Sequence, residues 1–175
     1  MTESLHRGAL IAPGTLLGIG LGGFIDGIVF HQILQWHNML SAVLPPHDME
    51  AMRRNMAADG WFHMATWLVT LGGVAVLWTA LRGPGPLPSG RALAGNMLIG
   101  WGGFNLVEGI VDHHLLGLHH VRDLPQHLPF YDWAFLIVGG VALLLVGLAL
   151  RGRREVSGLE RRSGYDRRGS LMLRP

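Results

Sequence analysis

The sequence predicts an all-α integral membrane protein, a four-helix bundle built from two related helical hairpins. The 175 residues are 49% apolar and include 26 glycines, which is too apolar and too glycine-rich for a soluble domain of this size. Four stretches are long and apolar enough to cross a bilayer, which takes about 20 residues. Two of these stretches also share an internal repeat that contains histidines and carboxylates.

The four predicted spans cover approximately residues 13–37, 60–81, 92–118 and 130–150. The second and fourth are uninterrupted apolar runs. An ionisable group in a span is costly unless it is paired, and it usually marks a functional site. Such groups interrupt the first and third spans: Asp26, His31, Glu108, Asp112, His113 and His114.

The distribution of arginines predicts the orientation of these spans. The chain has no lysine, and eleven of its fourteen arginines lie on one side of the predicted topology, eight of them from Arg151 onward. The other side has Arg53, Arg54 and Arg122. The positive-inside rule therefore places both termini in the cytoplasm. Residues 1–151 form the predicted membrane domain, and residues 152–175 form a disordered arginine-rich tail. No aromatic-basic module accompanies the arginines, which argues against nucleic acid as a partner.

A shift of 82 positions aligns "DGIVFHQILQWHN" in the first span with "EGIVDHHLLGLHH" in the third. We call this the repeat shift. In the partner spans "GGVAVL" from Gly72 matches "GGVALL" from Gly139 at a different spacing. Two such hairpins would lie parallel, related by a pseudo-twofold axis along the membrane normal. The aligned residues are Asp26 with Glu108, Gly27 with Gly109, His31 with His113, and His37 with His119.

The ionisable residues predict a transition-metal centre between the first and third helices, near the outer leaflet. The chain has no cysteine, so copper, iron or zinc would be bound by imidazole and carboxylate groups. In a continuous helix Asp26 and His37 would lie about 16 Å apart, so His37 is assigned to a watery outer rim with His119 and His120. The predicted ligands are His31, His113 and either Glu108 or Asp112, with His63 and His114 as further candidates and Asp26 as a bridging or outer carboxylate.

Three alternatives remain open from the sequence. A haem b held by His31 and His113 needs room for the macrocycle, which glycines would provide, although close helix packing is the commoner use of such glycines. A proton or ion relay, or a purely structural polar network, would also place ionisable groups inside a membrane. The glycines in question are Gly22, Gly23, Gly27, Gly102, Gly103 and Gly109.

Methionines at helical spacing precede the second span. Met49, Met52 and Met56 lie near His47 and His63, and thioether with imidazole is a ligand set that suits copper(I). The flanking charges favour a different interpretation, a short amphipathic helix that lies in the outer interface or covers the mouth of the bundle.

The segments "GGFIDGIVFHQILQWHNM", "DGWFH" and "GGFNLVEGIVDHHLLGLHHVRD" resemble predicted bacterial membrane proteins grouped as domain of unknown function 2243. The resemblance extends from about Leu10 to Leu150. It implies a multi-span membrane protein and no particular reaction. The expected location is the bacterial cytoplasmic membrane. The lipid bilayer is the expected partner, and assembly into a homo-oligomer or a larger membrane complex stays open.

Overall fold

The computed structural model describes residues 8–83 and 89–152, and within them the chain forms four long helices and no strand. The predicted tail lies outside the described residues from position 153 onward. We number the helices α1 to α4 in chain order. Helix α1 covers Ile11–Asp26 and continues as the π-helical segment Gly27–Ile33, and α2 covers Met49–Leu81. Helix α3 covers Gly90–Glu108 and continues as the π-helical segment Gly109–Leu115. Helix α4 consists of Pro129–Ala134, the π-helical segment Phe135–Ala142 and Leu143–Gly152.

Three of the four helices are long and apolar enough to cross a membrane, namely Ile11–Ile33, Met49–Leu81 and Pro129–Arg151. Large apolar side chains lie on the outside of the bundle, where Trp61 is 75% exposed and Val138 is 65% exposed. Most buried side chains of the described residues are polar or charged. This distribution is the reverse of that in water-soluble proteins and is expected for helices that face lipid.

Glycines allow the helices to approach closely around the interior. A Cβ atom added to Gly18 would overlap the backbone of Met97, and one added to Gly100 would overlap the backbone of Thr15. These two contacts bring α1 and α3 together, with no room for any side chain at either glycine. Small residues at a crossing are the usual basis of helix association in membranes.

Helices α1 and α3 end earlier than the sequence predicts. Their last residues are Ile33 and Leu115, whereas the spans were predicted to reach positions 37 and 118. Two residues with positive φ follow, Gln35 at 52° and Gly117 at 57°, and left-handed residues of this kind commonly terminate helices. The chain therefore turns back over the end of each helix, and this reversal positions the candidate site.

Helix α2 begins well before the predicted second span, at Met49. The Asp48 carboxylate accepts a hydrogen bond from the backbone N–H of Ala51 at 2.8 Å, which is a standard N-cap. The methionine segment is therefore not a separate interfacial helix, as the sequence suggested, but the first turns of α2. No helix-breaking proline lies between Met49 and the apolar run, so the helix continues without interruption.

Candidate metal centre

Four histidine rings meet at the ends of α1 and α3. His31 and His113 lie in the two π-helical segments, and His37 and His119 lie in the loops that follow. The ring centroids are 4.3 Å apart for His31 and His37, 4.9 Å for His113 and His119, and 4.7 Å for the stacked rings of His37 and His119. None of the four residues is more than 3% exposed. Short π-helical segments are rare and often occur at functional sites.

The two loop histidines are oriented by backbone carbonyl groups of the opposite loop. Nδ1 of His37 donates to the carbonyl oxygen of Val121 at 2.9 Å, and Nδ1 of His119 donates to that of Met39 at 3.2 Å. With the proton on Nδ1, each Nε2 atom has a free lone pair. Both Nε2 atoms are buried and have no hydrogen-bond partner, so they are available as ligands.

Carboxylates lie behind the two helical histidines. Nδ1 of His31 is 3.0 Å from Asp59, and its Nε2 is 3.1 Å from Asp26. Nδ1 of His113 is 3.6 Å from Asp132, which is too long for a hydrogen bond, and both of its ring nitrogens are buried without a hydrogen-bond partner. A carboxylate on the outer nitrogen of a histidine is the usual arrangement behind a metal-binding imidazole, because it fixes the ring and raises its basicity.

The inner atoms form two sets of two histidines and one carboxylate. In each set one ligand atom from every residue lies within 4.8 Å of the others, and all six residues are buried. Two histidines with one carboxylate are typical of non-haem iron sites that keep open positions. The repeat shift relates every member of one set to a member of the other, with Asp26, His31 and His37 in the first and Glu108, His113 and His119 in the second.

Several buried polar atoms in these sets have no partner. Both oxygens of Glu108 are buried and accept no hydrogen bond, and a buried polar atom left unsatisfied costs about 1–3 kcal/mol. Among the described residues, no arginine forms an ion pair with the carboxylates around the cluster. A bound cation would satisfy both the charges and the lone pairs. The four carboxylates are those of Asp26, Asp59, Glu108 and Asp132.

Contacts around the cluster recur in pairs that the repeat shift relates. The N–H of Ala42 donates to the carbonyl oxygen of Leu118 at 3.1 Å, and the N–H of Leu124 donates to that of Trp36 at 2.8 Å. Asp59 on α2 lies beside His31, and Asp132 on α4 lies beside His113, although the repeat shift does not align the two aspartates in the sequence. Their backbone donors do follow the shift, since Met39 donates to Asp59 and Val121 donates to Asp132. The match between Gly72 and Gly139 does not follow this correspondence.

Burial keeps the loop histidines neutral. It lowers the pKa of His37 to about 3, with a smaller contribution in the same direction from the neighbouring His119 ring. Burial also lowers the pKa of His119, against an opposing effect of Asp26. Neutral imidazole is the form that binds a metal ion, so both rings are in the ligand state near neutral pH.

The structure places His37 and His119 differently from the outer rim that the sequence predicts. They are 1% and 0% exposed. The distance of about 16 Å between Asp26 and His37 assumed a continuous helix. That premise is wrong because α1 ends at Ile33 and the chain reverses at Gln35, which brings His37 back beside Asp26.

Four other predicted residues lie outside the two sets. His114 is exposed and packs against Trp133, so its ring points away from the cluster. Asp112 is half-buried, and His63 is half-buried at the edge of a cavity. His120 is half-buried at the boundary of the cluster.

Asp59 and Asp132 were not among the predicted ligands or bridging carboxylates. The sequence does contain a signal for them, because each aspartate is followed three positions later by a phenylalanine. In the structure this phenylalanine packs on the histidine that the aspartate approaches. The two contacts are Phe62 with His31, at a centroid distance of 5.8 Å, and Phe135 with His113, at 5.4 Å.

The glycines that would make room for a haem mostly face side chains or backbone of neighbouring helices. A Cβ atom added to Gly22 would meet Trp101, and one added to Gly109 would meet Leu136 at 2.7 Å. Gly103 alone of the six faces open space. The glycines therefore favour close packing over a macrocycle pocket.

A cavity of about 530 Å³ lies beside His31. Both polar and apolar groups line it, and it gives access to one side of the cluster. The lining includes Gln32, Gln35, Asn38, Met52, Met56 and His63.

A comparison with known protein families agrees with the architecture. The model of a family described as "Predicted membrane protein (DUF2243)" matches residues 13–154. This range includes both ligand sets and almost all of the four helices. No curated protein and no solved structure matches the chain.

Proposed function

The chain belongs to the DUF2243 family of predicted membrane proteins, and we propose that it is a membrane metalloprotein. Its buried histidine–carboxylate cluster would hold transition-metal ions between α1 and α3. The observation that carries this proposal is the set of buried ligand atoms without partners. They include Nε2 of His37, His113 and His119 and both oxygens of Glu108. A metal ion would satisfy these atoms together, because each of them can donate an electron pair to it.

Charge supports the presence of two ions. Four buried carboxylates surround four histidines, and a buried charge without compensation is strongly destabilising. Two divalent cations would neutralise four ionised carboxylates. His31 forms hydrogen bonds with both Asp26 and Asp59, so an ion bound by His31 and Asp26 would replace the proton between Nε2 and Oδ2, which are 3.1 Å apart. Two ligands of one tetrahedral ion with bonds of about 2.0–2.1 Å lie about 3.3 Å apart, so little movement of these atoms is needed.

The donor set favours iron. Imidazole with carboxylate, two to one, is the arrangement of non-haem iron sites, and copper or zinc would accept the same donors. A centre of this kind supports redox chemistry or the handling of metal ions for other membrane proteins.

The proposal includes a topology of four spans with both termini in the cytoplasm, which follows from the arginine distribution. The loops over α1 and α3 then face the outer side, and the cluster lies near the outer leaflet. The contacts that recur under the repeat shift support two related hairpins. In this topology residues 1–151 form the membrane domain, and the arginine-rich tail from 152 can contact anionic lipid in the cytoplasmic leaflet.

Metal analysis of detergent-purified protein tests the proposal. We expect about two iron, copper or zinc ions per chain in the wild type, one for each ligand set. His113→Ala removes a ligand and should lower the metal content by at least half. His114→Ala is the matched control, because His114 is adjacent but exposed, and it should retain the wild-type content. Size-exclusion profiles verify that each variant is folded.

Three outcomes would overturn the proposal. Negligible metal in all three proteins without a haem absorption band would leave a structural polar network or a relay, and proton flux in proteoliposomes separates those two. A haem band that His113→Ala abolishes would replace the non-haem centre with haem b. Equal loss of metal in His113→Ala and His114→Ala would show that the ions are bound elsewhere.

A further inference from the structure

A second group of metal-binding side chains lies at the edge of the cluster. The rings of His120 and His127 stack with their centroids 3.8 Å apart. Nδ1 of His120 is 3.4 Å from Oδ2 of Asp132, and Nε2 of His127 is 2.9 Å from the same oxygen. The side chains of the two histidines are 22% and 39% exposed, whereas that of Asp132 is 5% exposed. We call these three residues the surface site.

The dimensions of the surface site suit a small divalent ion. One ligand atom from each residue lies within 4.8 Å of the other two. Bonds of about 2.0–2.1 Å in a tetrahedral zinc site separate the ligand atoms by about 3.3 Å, and the two distances to Asp132 lie on either side of this value. Nδ1 of His120 is buried without a hydrogen-bond partner, so a ligand atom is already available.

Asp132 connects the surface site to the buried cluster. Its Oδ1 accepts the backbone N–H of Val121 at 2.8 Å and lies 3.6 Å from Nδ1 of His113. Its Oδ2 faces the two surface histidines. One carboxylate therefore contacts both groups, and an ion at the surface site would be a single side chain away from a buried ligand set.

The first half of the chain is built differently at the corresponding place. The repeat shift aligns Asn38 with His120, and the Asn38 side chain donates to Asp59 at 2.7 Å. An amide nitrogen is a hydrogen-bond donor and does not bind a metal ion. The histidine is therefore specific to the second half, so the internal repeat does not explain it.

We propose that His120, His127 and Asp132 form a solvent-accessible site for a divalent transition-metal ion, which takes up the ion before it enters the buried cluster. Binding at the surface site stands on its own geometry. Its role as the entry point rests on the proposed function.

The test uses the full-length protein in detergent, loaded with Zn²⁺ and mixed rapidly with a chromogenic chelator. We expect one ion per chain to be released fast from the surface site and the buried ions to be released slowly. His127→Ala should abolish the fast phase and keep the slow phase. It should also slow reloading of the buried ions at least tenfold. His47→Ala, which changes an exposed histidine of the other loop, is the control and should behave as the wild type.

A fast phase that persists in His127→Ala, or that His47→Ala also removes, would overturn the surface site. Unchanged reloading with loss of the fast phase would overturn the entry role alone. A fast phase without a slow phase would contradict the buried centre but support the surface site, so the two proposals fail separately. His127→Gln provides a second variant, since it keeps the size of the side chain and its hydrogen bonding but is a much weaker ligand.

Discussion

Replacement of Glu108 by glutamine distinguishes a metal centre from a structural network, because only the metal centre predicts a large loss of stability. Glu108 is 5% exposed, its two oxygens accept no hydrogen bond, and Oε1 lies 3.6 Å from Nε2 of His119. If it binds a metal ion, glutamine removes a charged ligand and the ion is lost. If no ion binds, a carboxyl group buried this deeply is protonated and neutral, so glutamine replaces one neutral group with another of nearly the same size and stability changes little.

The expected change follows from linkage. An ion present at about 100 times its Kd stabilises the folded state by about 2.7 kcal/mol. For a chain of this size 1 kcal/mol shifts Tm by about 2–4 °C. Loss of one ion through Glu108→Gln should therefore lower Tm by about 5–10 °C. The structural alternative predicts little change in Tm.

Thermal unfolding in detergent, with and without a strong chelator, measures this difference. The wild type should lose stability when the chelator is added, and Glu108→Gln should lose less because one ion is already absent. The control is Glu50→Gln, since Glu50 forms exposed ion pairs with Arg53 and Arg54, which contribute about 0–1 kcal/mol. A Tm for Glu108→Gln equal to or above that of the wild type, together with no effect of chelator on the wild type, would refute the metal centre.

Three further predictions address the outer carboxylates, the pH response and the topology. Asp59→Asn and Asp132→Asn should each weaken metal binding about 10- to 100-fold, because outer partners of ligand histidines have effects of this size. Chelator competition measures the affinity. An unchanged affinity would contradict the role of these carboxylates in orienting His31 and His113. In the metal-free protein burial lowers the pKa of His37 to about 3, below the usual value near 6.5. Between these two pH values the unfolded chain binds more protons than the folded chain. The free energy of unfolding should therefore fall by up to about 1.4 kcal/mol per pH unit as the pH drops below about 6.5. Denaturant unfolding between pH 7.5 and 5 checks the slope, which should be shallower in His37→Gln; an identical slope would reject the assignment. The native chain has no cysteine, so a membrane-impermeant maleimide should label His47→Cys but not Gly83→Cys in intact cells, and the opposite pattern would invert the topology.

The sequence predicts the helices well because each helix depends on residues that are close together in the chain. Apolar runs of about 20 residues predict spans, and four helices occur close to the predicted positions. The ends are less predictable. Asp48 caps α2 before its apolar run, and a positive φ at Gln35 ends α1, although glutamine is not a residue that favours this conformation.

The amino-acid sequence alone dictates which groups are present, namely two copies of a carboxylate with two histidines, related by the repeat shift, and no cysteine. It predicted His31, His113 and Glu108 inside the membrane domain because they interrupt apolar runs. His37 and His119 join them only in the folded chain. The position of a side chain beyond a helix end depends on a single backbone reversal, at Gln35 or Gly117. The orientation of each loop histidine depends in turn on a carbonyl group from the opposite half of the chain, which no local pattern encodes.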